Sequence, residues 1–251
     1  MQRFLQLSTG EDRAVPLLCF PHAGGDANVY RAWRRELGAN VTVLPVLLPG
    51  RGSRMAEPLM SDPEEIVSRV ADEAMGLAGA PYAIFGHSMG ALLAYGLAGE
   101  MARRGAPPPC LLFVSGRGAP HRQGPIEPFA NLPTPQFRAY LAALGGTPGE
   151  VLENEELMAL MEPILRVDLG MVERFPYTAS RPVPCPIMAL AGRSDPRSPL
   201  DQVAAWRDLS NGDFAMETFD GDHFFVQSRQ AAVTQVLAQA LASRTRATPM
   251  R

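Results

Sequence analysis

The sequence predicts an α/β protein in which a mostly parallel central sheet is flanked by helices. Short apolar runs alternate with segments of helical periodicity along the 251 residues, which is the order of parallel strands joined by crossover helices. Several of these runs are apolar throughout, as strands covered on both faces are. With 46% hydrophobic and 20% charged residues, the chain can also bury the large core that this class needs.

Six apolar runs are the predicted strands. In chain order they are VPLLCF (15–20), VTVLPVLLP (41–49), YAIFGH (82–87), CLLFVSG (110–116), PIMALAG (186–192) and FAMETFDG (214–221). The helices predicted between and after them begin near Ser61-Asp62-Pro63-Glu64, at Ser88, near residue 201 and near residue 225. In the first of these helices, Ser61 or Asp62 can cap the N-terminus and Pro63 fits the first turn.

Residues 119–184 break this alternation and contain no convincing strand. Thr134-Pro135 is expected to cap and open a helix that ends at Gly145-Gly146. A second helix is expected over 156–175, with Pro163 kinking or dividing it. The segment is too long for an ordinary loop. We therefore predict an α/β core, residues 1–118 and 185–251, interrupted by a helical insertion over residues 119–184.

Charge and hydropathy exclude several classes of function. The net charge of −3 offers no electrostatic footprint for nucleic acid or an anionic membrane. No apolar run approaches the length of about 18 residues that a membrane span needs, and the N-terminus lacks a signal-peptide pattern. Three cysteines, with no Cys-x-x-Cys pair, favour free thiols in a reducing compartment over disulfides or a metal site. A cytoplasmic protein is expected.

Ser88 is the predicted nucleophile. It lies at the centre of Gly86-x-Ser88-x-Gly90, directly after a predicted strand and directly before a predicted helix. A strand–turn–helix setting is the one in which this motif forms a nucleophile elbow, and the turn is so tight that side chains two residues to either side would clash. The hydroxyl would then project above the sheet near the positive end of the helix.

A serine hydroxyl needs a base to activate it and a third group to orient that base. With an elbow serine, the acid and then the histidine follow on loops after later strands. His223, just after the last predicted strand, meets this requirement. His22 precedes the serine, His87 adjoins it and should point away from the hydroxyl, and His121 lies in the insertion. His223 is therefore the predicted general base.

Asp195 is the predicted acid, because it follows the apolar run 186–192 directly. Asp220 and Asp222 are too close to His223 in sequence to approach its far ring nitrogen comfortably. Asp213 precedes the last predicted strand and so belongs to the opposite edge of the sheet.

Acyl transfer also needs N–H donors for the developing oxyanion. One is expected from Met89, the residue after the serine, and one from the loop after the first strand, CFPHAGGD (19–26). We assign the second donor to Ala23, with Gly24 as the alternative. A dinucleotide-binding interpretation of this loop fails, because G-x-G-x-x-G is absent.

The chain as a whole resembles the type II thioesterases. The motifs that carry the resemblance span nearly the whole chain: FPHAGG (20–25), LPGRGSR (48–54), GHSMGA (86–91), SGRGAP (115–120), GRSDP (192–196) and GDHFF (221–225). The resemblance implies an α/β-hydrolase fold, a triad of Ser88, Asp195 and His223, and a helical insertion that acts as a lid over an acyl channel.

The resemblance also implies an activity. Such enzymes hydrolyse acyl groups from the phosphopantetheine arm of acyl or peptidyl carrier proteins in polyketide and non-ribosomal peptide biosynthesis, typically removing aberrant or stalled units. No metal or diffusible cofactor is implied, because the phosphopantetheine belongs to the substrate. The partner would be a carrier protein, with no nucleic acid and no membrane involved. A monomer is the default. The Met1 start and short lead-in favour a free-standing enzyme over a synthase domain.

Met158 and Met161 of the insertion are candidate substrate-binding residues, since flexible methionines suit a site that accepts several acyl chains. The other interpretation, favoured for most apolar residues of the insertion, is that they pack it onto the core. Arg51, Arg117 and Arg122 are candidates for meeting an acidic carrier protein or the phosphate.

Two other functions stay open at this point. One is a small-molecule carboxylesterase or lipase of the same fold, which would turn over free esters without preferring carrier-bound acyl groups. The other is a non-catalytic hydrolase-like protein that holds a ligand in the lidded pocket. A complete triad argues against the second, because ligand binding requires no activated serine.

Overall fold

A parallel six-stranded sheet runs through the described part of the chain, which comprises residues 3–5, 14–122, 128–147, 149–176 and 181–246 of this computed structural model. The strands are β1 (Val15–Phe20), β2 (Val41–Pro45), β3 (Ala83–His87), β4 (Leu111–Ser115), β5 (Ile187–Gly192) and β6 (Phe214–Phe219). Their order across the sheet is β2-β1-β3-β4-β5-β6, and every neighbouring pair is parallel. Each predicted strand is confirmed, although the second stops at Pro45.

Helices cover both faces of the sheet. They are α1 (Trp33–Glu36), α2 (Pro63–Ala74), α3 (Met89–Arg103), α4 (Thr134–Leu144), α5 (Gly149–Leu152), α6 (Glu155–Arg174), α7 (Leu200–Ala204), α8 (Phe225–Ser228) and α9 (Gln230–Arg246). Ile84 of β3 faces a core that includes side chains of α2 and α3. Its neighbour Phe85 faces the opposite core, with Trp33 of α1 and Leu237 of α9. Burial on both faces explains why these strands are apolar throughout.

The helix termini follow the predicted chemistry at Asp62 and Gly145 and depart from it at Thr134. Asp62 caps α2: its carboxylate accepts a hydrogen bond from the Glu64 N–H at 2.9 Å, and Pro63 occupies the first turn. Thr134 does not cap α4. It is the first helical residue, and its Oγ1 donates to Glu162 Oε1 at 3.0 Å instead. Gly145 ends α4 at a φ of 70°, as predicted.

Pro163 does not divide α6, which continues from Glu155 to Arg174. The predicted division of the helix at Pro163 was therefore wrong. Pro163 and Ala159, whose carbonyl loses its helical donor, both lie on the exposed side of the helix, where water can bond that carbonyl. The other face of α6 is buried and holds the helix in place. The C-terminal helical segment, predicted as one, is interrupted at Arg229 between α8 and α9.

Between β4 and β5 the described residues form α4, α5, α6 and short turns. The three helices enclose a small core of their own, built on Phe137, Leu141, Met158 and Leu165. The end of α6 joins the main core through Met171 and Val172. The insertion is thus helical, as predicted, and is anchored to the α/β core at its C-terminal end.

Candidate active site

Ser88 occupies a strained turn between β3 and α3. Its φ of 57° and ψ of −116° lie outside the ordinary regions for an L-residue, and among the described residues no other non-glycine has a positive φ. The Ser88 N–H donates to the Ser115 carbonyl of β4 at 2.8 Å, which fixes the turn to the sheet. Strain of this kind holds a nucleophile exposed at the end of its strand.

The two glycines of the motif are sterically required. A Cβ on Gly86 would lie 1.9 Å from the Gly90 carbonyl oxygen, and a Cβ on Gly90 would lie 2.2 Å from the Phe20 carbonyl oxygen. Both contacts are with backbone, which cannot move aside without displacing β1 or α3. The tightness inferred from the sequence pattern is therefore a property of the folded turn.

Three side chains form a hydrogen-bonded chain at the carboxyl ends of β3, β5 and β6. The Ser88 hydroxyl lies 2.9 Å from His223 Nε2, and His223 Nδ1 lies 2.7 Å from Asp195 Oδ2. The other oxygen of Asp195 accepts the Arg197 backbone N–H at 2.9 Å. These are the distances and the order of groups that activate a serine hydroxyl. The structure thus brings the three predicted triad residues together.

The environment of Asp195 keeps its carboxyl ionised. Burial raises the pKa of Asp195, but the hydrogen bond and charge of His223, together with the Arg197 N–H, outweigh burial and leave the pKa below its ordinary value. A carboxylate in this position can hold the imidazole with Nδ1 protonated. Nε2 is then left as the acceptor that faces Ser88.

The other carboxylates considered for this role are engaged elsewhere. Asp222 is exposed and accepts the Phe224 N–H at 2.9 Å. Asp220 pairs with Arg193 at 3.1 Å, and Asp213 pairs with the α9 residue Arg244 at 2.9 Å. Within the described residues, none of the three is hydrogen-bonded to the His223 ring.

The remaining histidines make other contacts. His87 Nδ1 hydrogen-bonds Ser115 Oγ at 2.9 Å beneath the site, and His121 faces Asp208 at 3.1 Å. The Nδ1–H of His22 donates to the Ala23 carbonyl at 3.0 Å. His22 also lines the cavity beside Ser88.

His87 makes stability depend on pH. Burial, followed by the charges of His223 and His22, lowers the pKa of His87 well below its ordinary value. In the unfolded chain His87 has an ordinary pKa of about 6.5, so on acidification it binds a proton that it does not bind in the folded protein. The contribution of neutral, buried His87 to the free energy of unfolding is therefore present above about pH 6.5 and is lost as the pH falls below that value.

We expect the free energy of unfolding, measured with urea, to fall as the pH is lowered from 7.5 to 5. The contribution of His87 to this slope is at most about 1.4 kcal/mol per pH unit. His87→Gln should reduce that slope while keeping a polar partner for Ser115. An unchanged slope in the variant would show that His87 is not the titrating group.

The two predicted oxyanion donors have their N–H groups available. In the described residues, neither the Ala23 N–H nor the Met89 N–H has a protein hydrogen-bond partner. Met89 is the first residue of α3, where helical N–H groups are unpaired by geometry. The alternative donor, Gly24, has its N–H engaged by Asp168 Oδ2 of α6 at 2.7 Å.

A cavity of about 260 Å³ adjoins Ser88 and His223. The insertion provides its apolar wall through Leu141 and Leu144 of α4 and Leu165 and Leu169 of α6. Its polar lining includes Tyr140, Glu173, Arg117, Arg197 and Ser198. A larger groove, about 600 Å³, lies between α2, α3 and residues 181–184, away from the triad, and we assign no chemistry to it.

Met158 and Met161 are not among the residues that line this cavity. Met158 of α6 is fully buried in the small core of the insertion, and Met161 is partly buried against the same core. The reason is position along the helix axis. Met161, Leu165 and Leu169 are spaced four residues apart and share one stripe of α6, and the cavity adjoins this stripe from Leu165 onward, one turn beyond Met161. Leu165 and Leu169 are therefore added to the residues expected to contact the acyl group, and the role of Met158 and Met161 stays a prediction.

The three arginines proposed for partner contacts have different surroundings. Arg51 is buried and forms a two-pronged ion pair with Asp168, at 2.5 and 2.8 Å, so it is not a surface contact. Arg117 lines the cavity. Arg122 is exposed and lies 3.6 Å from Asp208.

Cys19, Cys110 and Cys185 are free thiols. Burial raises the pKa of all three, that of Cys185 to about 12. The part of the chain that the structure describes holds no group of side chains arranged to bind a metal ion. Among the described helices, none is both long enough and apolar enough to cross a membrane.

The family model of the thioesterase domain matches residues 15–242. This chain belongs to the thioesterase family. It is therefore a serine hydrolase that cleaves thioesters, and the α/β-hydrolase fold and the resemblance to type II thioesterases are confirmed.

Similar proteins agree with that assignment. The thioesterase PikA5 of Streptomyces venezuelae is 38% identical over 86% of this chain and 77% of PikA5. The type II thioesterase BorB, from the borrelidin biosynthetic cluster, superposes with a TM-score of 0.85 at 33% identity over 95% of this chain and 97% of BorB. Linear gramicidin dehydrogenase LgrE of Brevibacillus parabrevis is 36% identical over 91% of this chain and 88% of LgrE. The word dehydrogenase is part of the name of LgrE and is not carried over to this thioesterase. The sequence here lacks the dinucleotide-binding pattern G-x-G-x-x-G.

Proposed function

We propose that this thioesterase removes acyl groups from the phosphopantetheine arm of acyl or peptidyl carrier proteins, and so clears aberrant or stalled units in polyketide or non-ribosomal peptide biosynthesis. One observation carries the proposal: the Ser88–His223–Asp195 chain opens into an apolar cavity walled by the helical insertion. The similarity to type II thioesterases of biosynthetic clusters supports the substrate class.

In the acylation step, Ser88 is the nucleophile and His223 the general base. The Ser88 proton passes to His223 Nε2 as Oγ attacks the thioester carbon, and Asp195 stabilises the imidazolium that forms. The carbonyl oxygen becomes an oxyanion, to which the Ala23 and Met89 N–H groups donate. When the C–S bond breaks, His223 returns the proton to sulfur and pantetheine leaves as a thiol.

Deacylation repeats the cycle with water in place of the serine. His223 takes a proton from water as the hydroxide oxygen attacks the acyl-Ser88 ester. The C–Oγ bond breaks, the proton passes from His223 to Ser88, and the product is the free carboxylic acid. Every proton in the two steps is held by His223 or by a reactant. We assign no role to a metal or further cofactor.

The insertion serves as the lid in this proposal, and its cavity favours short acyl groups. A volume of about 260 Å³ is below the range of roughly 300–1,000 Å³ typical of ligand pockets. The wall formed by Leu141, Leu144, Leu165 and Leu169 suits an aliphatic chain. Met158 packs behind this wall, and Met161 lies beside Gly24 of the loop that offers the Ala23 N–H.

The test is a hydrolysis panel in which one acyl group is presented on a carrier protein, on coenzyme A and as a simple ester. We expect kcat/KM to fall in that order, because a carrier protein adds contacts outside the cavity. On one carrier, acetyl or propionyl should exceed dodecanoyl. Faster turnover of simple esters would favour the carboxylesterase alternative. Ligand binding without any turnover would favour the non-catalytic one.

The carrier protein is the partner in this proposal, and we further infer that the enzyme acts as a monomer in the cytoplasm. Three free cysteines suit a reducing compartment. Of the arginines considered for partner contacts, Arg122 is exposed on the surface and is the candidate for contact with the carrier protein. Arg117 lines the cavity and is the candidate for contact with the bound acyl-pantetheine.

A further inference from the structure

The loop that offers the Ala23 N–H is a tight turn over residues 22–25. The Gly25 N–H donates to the His22 carbonyl at 2.9 Å, and Gly24 has a φ of +76° at the third position. This is the pattern of a type II turn. The peptide between Ala23 and Gly24 is the one that reverses direction when such a turn changes type, and glycine makes the reversal easy.

Both polar groups of that peptide are held. On one side, the His22 Nδ1–H donates to the Ala23 carbonyl at 3.0 Å. On the other, the Gly24 N–H donates to Asp168 Oδ2 at 2.7 Å. The second contact joins residues far apart in sequence, since Asp168 lies on α6 of the insertion.

Asp168 is a fully buried carboxylate whose position is fixed by charge. Arg51 donates to both of its oxygens, at 2.5 and 2.8 Å, and the Gly24 N–H shares Oδ2. Leu165 of the same helix covers the turn, since a Cβ on Gly24 would lie 2.6 Å from Leu165 Cδ2. The oxyanion loop therefore touches α6 through a polar contact with Asp168 and through apolar neighbours, Leu165 and Met161.

We propose that Asp168 is a positioning residue for the oxyanion hole. By holding the Gly24 N–H, it fixes the Ala23–Gly24 peptide in the orientation that leaves the adjacent Ala23 N–H free for the substrate oxygen. The oxyanion hole is then complete only when α6 is seated on the core. This inference rests on the proposed function, because it assigns a further residue to the same reaction.

The principal test variant carries Arg51→Met and Asp168→Leu together. Removing both charges avoids an unpaired buried ion, and a buried ion pair replaced by apolar residues often leaves stability little changed. The Gly24 N–H then loses its acceptor. Glu162→Gln is the matched control: it breaks ion pairs of α6 with Arg138 and Arg166 that do not touch the oxyanion loop.

Two inhibitors separate positioning from general damage. In a trifluoromethyl ketone analogue, Ser88 Oγ adds to the ketone carbon and a tetrahedral oxyanion forms. A thioether analogue fills the cavity without reacting. In the double variant we expect kcat/KM to fall about 10- to 100-fold, less than for outright loss of a donor, and the ketone to bind weaker by the same factor. The thioether Kd and the thermal midpoint should stay near those of the control.

Asp168→Asn keeps one oxygen able to accept the Gly24 N–H, so its activity should lie between those of the double variant and the wild type. It also carries the test if the double variant does not fold. Wild-type kcat/KM in the double variant would overturn the inference, and so would equal losses in the affinity of both inhibitors. A Ser88→Ala variant in the same assay separates these outcomes, since activity surviving there would refute the proposed function itself.

Discussion

Ser88→Ala is expected to lower thioester hydrolysis by about 10⁶-fold, to the limit of detection, because no other group can accept the acyl chain. The residual rate would come from the oxyanion donors and from binding alone. The variant should fold normally, since alanine differs from serine only by the hydroxyl that faces His223 at 2.9 Å. The measurement is release of free thiol from an acyl-carrier substrate, beside a thermal melt.

Ser198→Ala is the matched control for that experiment. Ser198 lines the same cavity and is buried, but within the described residues its hydroxyl has no hydrogen-bond partner. Its loss should change kcat/KM by no more than a few-fold. A serine-directed phosphonate should label the wild type at Ser88 and leave Ser88→Ala unlabelled. Labelling of Ser198, or turnover by Ser88→Ala, would contradict the assignment.

Asp195→Asn is expected to lower kcat by about 10⁴-fold with little change in KM. The amide keeps the shape of the carboxyl group but can present its NH₂ to His223 Nδ1. The imidazole would then carry its proton on Nε2, where it cannot accept one from Ser88. The Arg197 N–H, now bonded to the other oxygen of Asp195, can hold the amide in that orientation.

Asp222→Asn tests whether the effect is specific to the acid of the triad. Asp222 lies on the His223 loop and accepts the Phe224 N–H at 2.9 Å, whereas the carboxylate hydrogen-bonded to the imidazole is that of Asp195. Activity within a few-fold of wild type is expected. If Asp222→Asn were as damaging as Asp195→Asn, the orienting carboxylate would have to be reassigned.

Most of the sheet and the triad could be predicted from the sequence because their signals are local. Strands buried on both faces leave continuous apolar runs, and β3 and β4 show this in the complete burial of their residues. The chain order of Ser88, Asp195 and His223 follows from which strand each residue succeeds. Parallel strands bring their carboxyl ends to one edge, so position in the sequence becomes proximity in space.

The contacts of the insertion could not be predicted in the same way, because they depend on how it packs. Nothing in the sequence around Arg51 indicates that its partner is Asp168, and exposure was the natural expectation for an arginine in a glycine-rich loop. The lining of the cavity was hard to predict for a related reason. An apolar stripe that runs the length of α6 does not reveal which of its turns adjoins Ser88, so the sequence did not single out Leu165 and Leu169 beside Met158 and Met161.

The free cysteines have a consequence for an enzyme whose substrates are thioesters. Thiol–thioester exchange requires a thiolate, so an ionised surface cysteine would capture acyl chains and be modified by the substrate itself. Burial of Cys19 and Cys185, and the raised pKa of all three thiols, keep sulfur protonated at neutral pH. The sequence also contains no lysine, so it has no side-chain amine to be acylated. The protein therefore presents its thioester substrate with no ionised cysteine and no lysine side chain that would compete with Ser88.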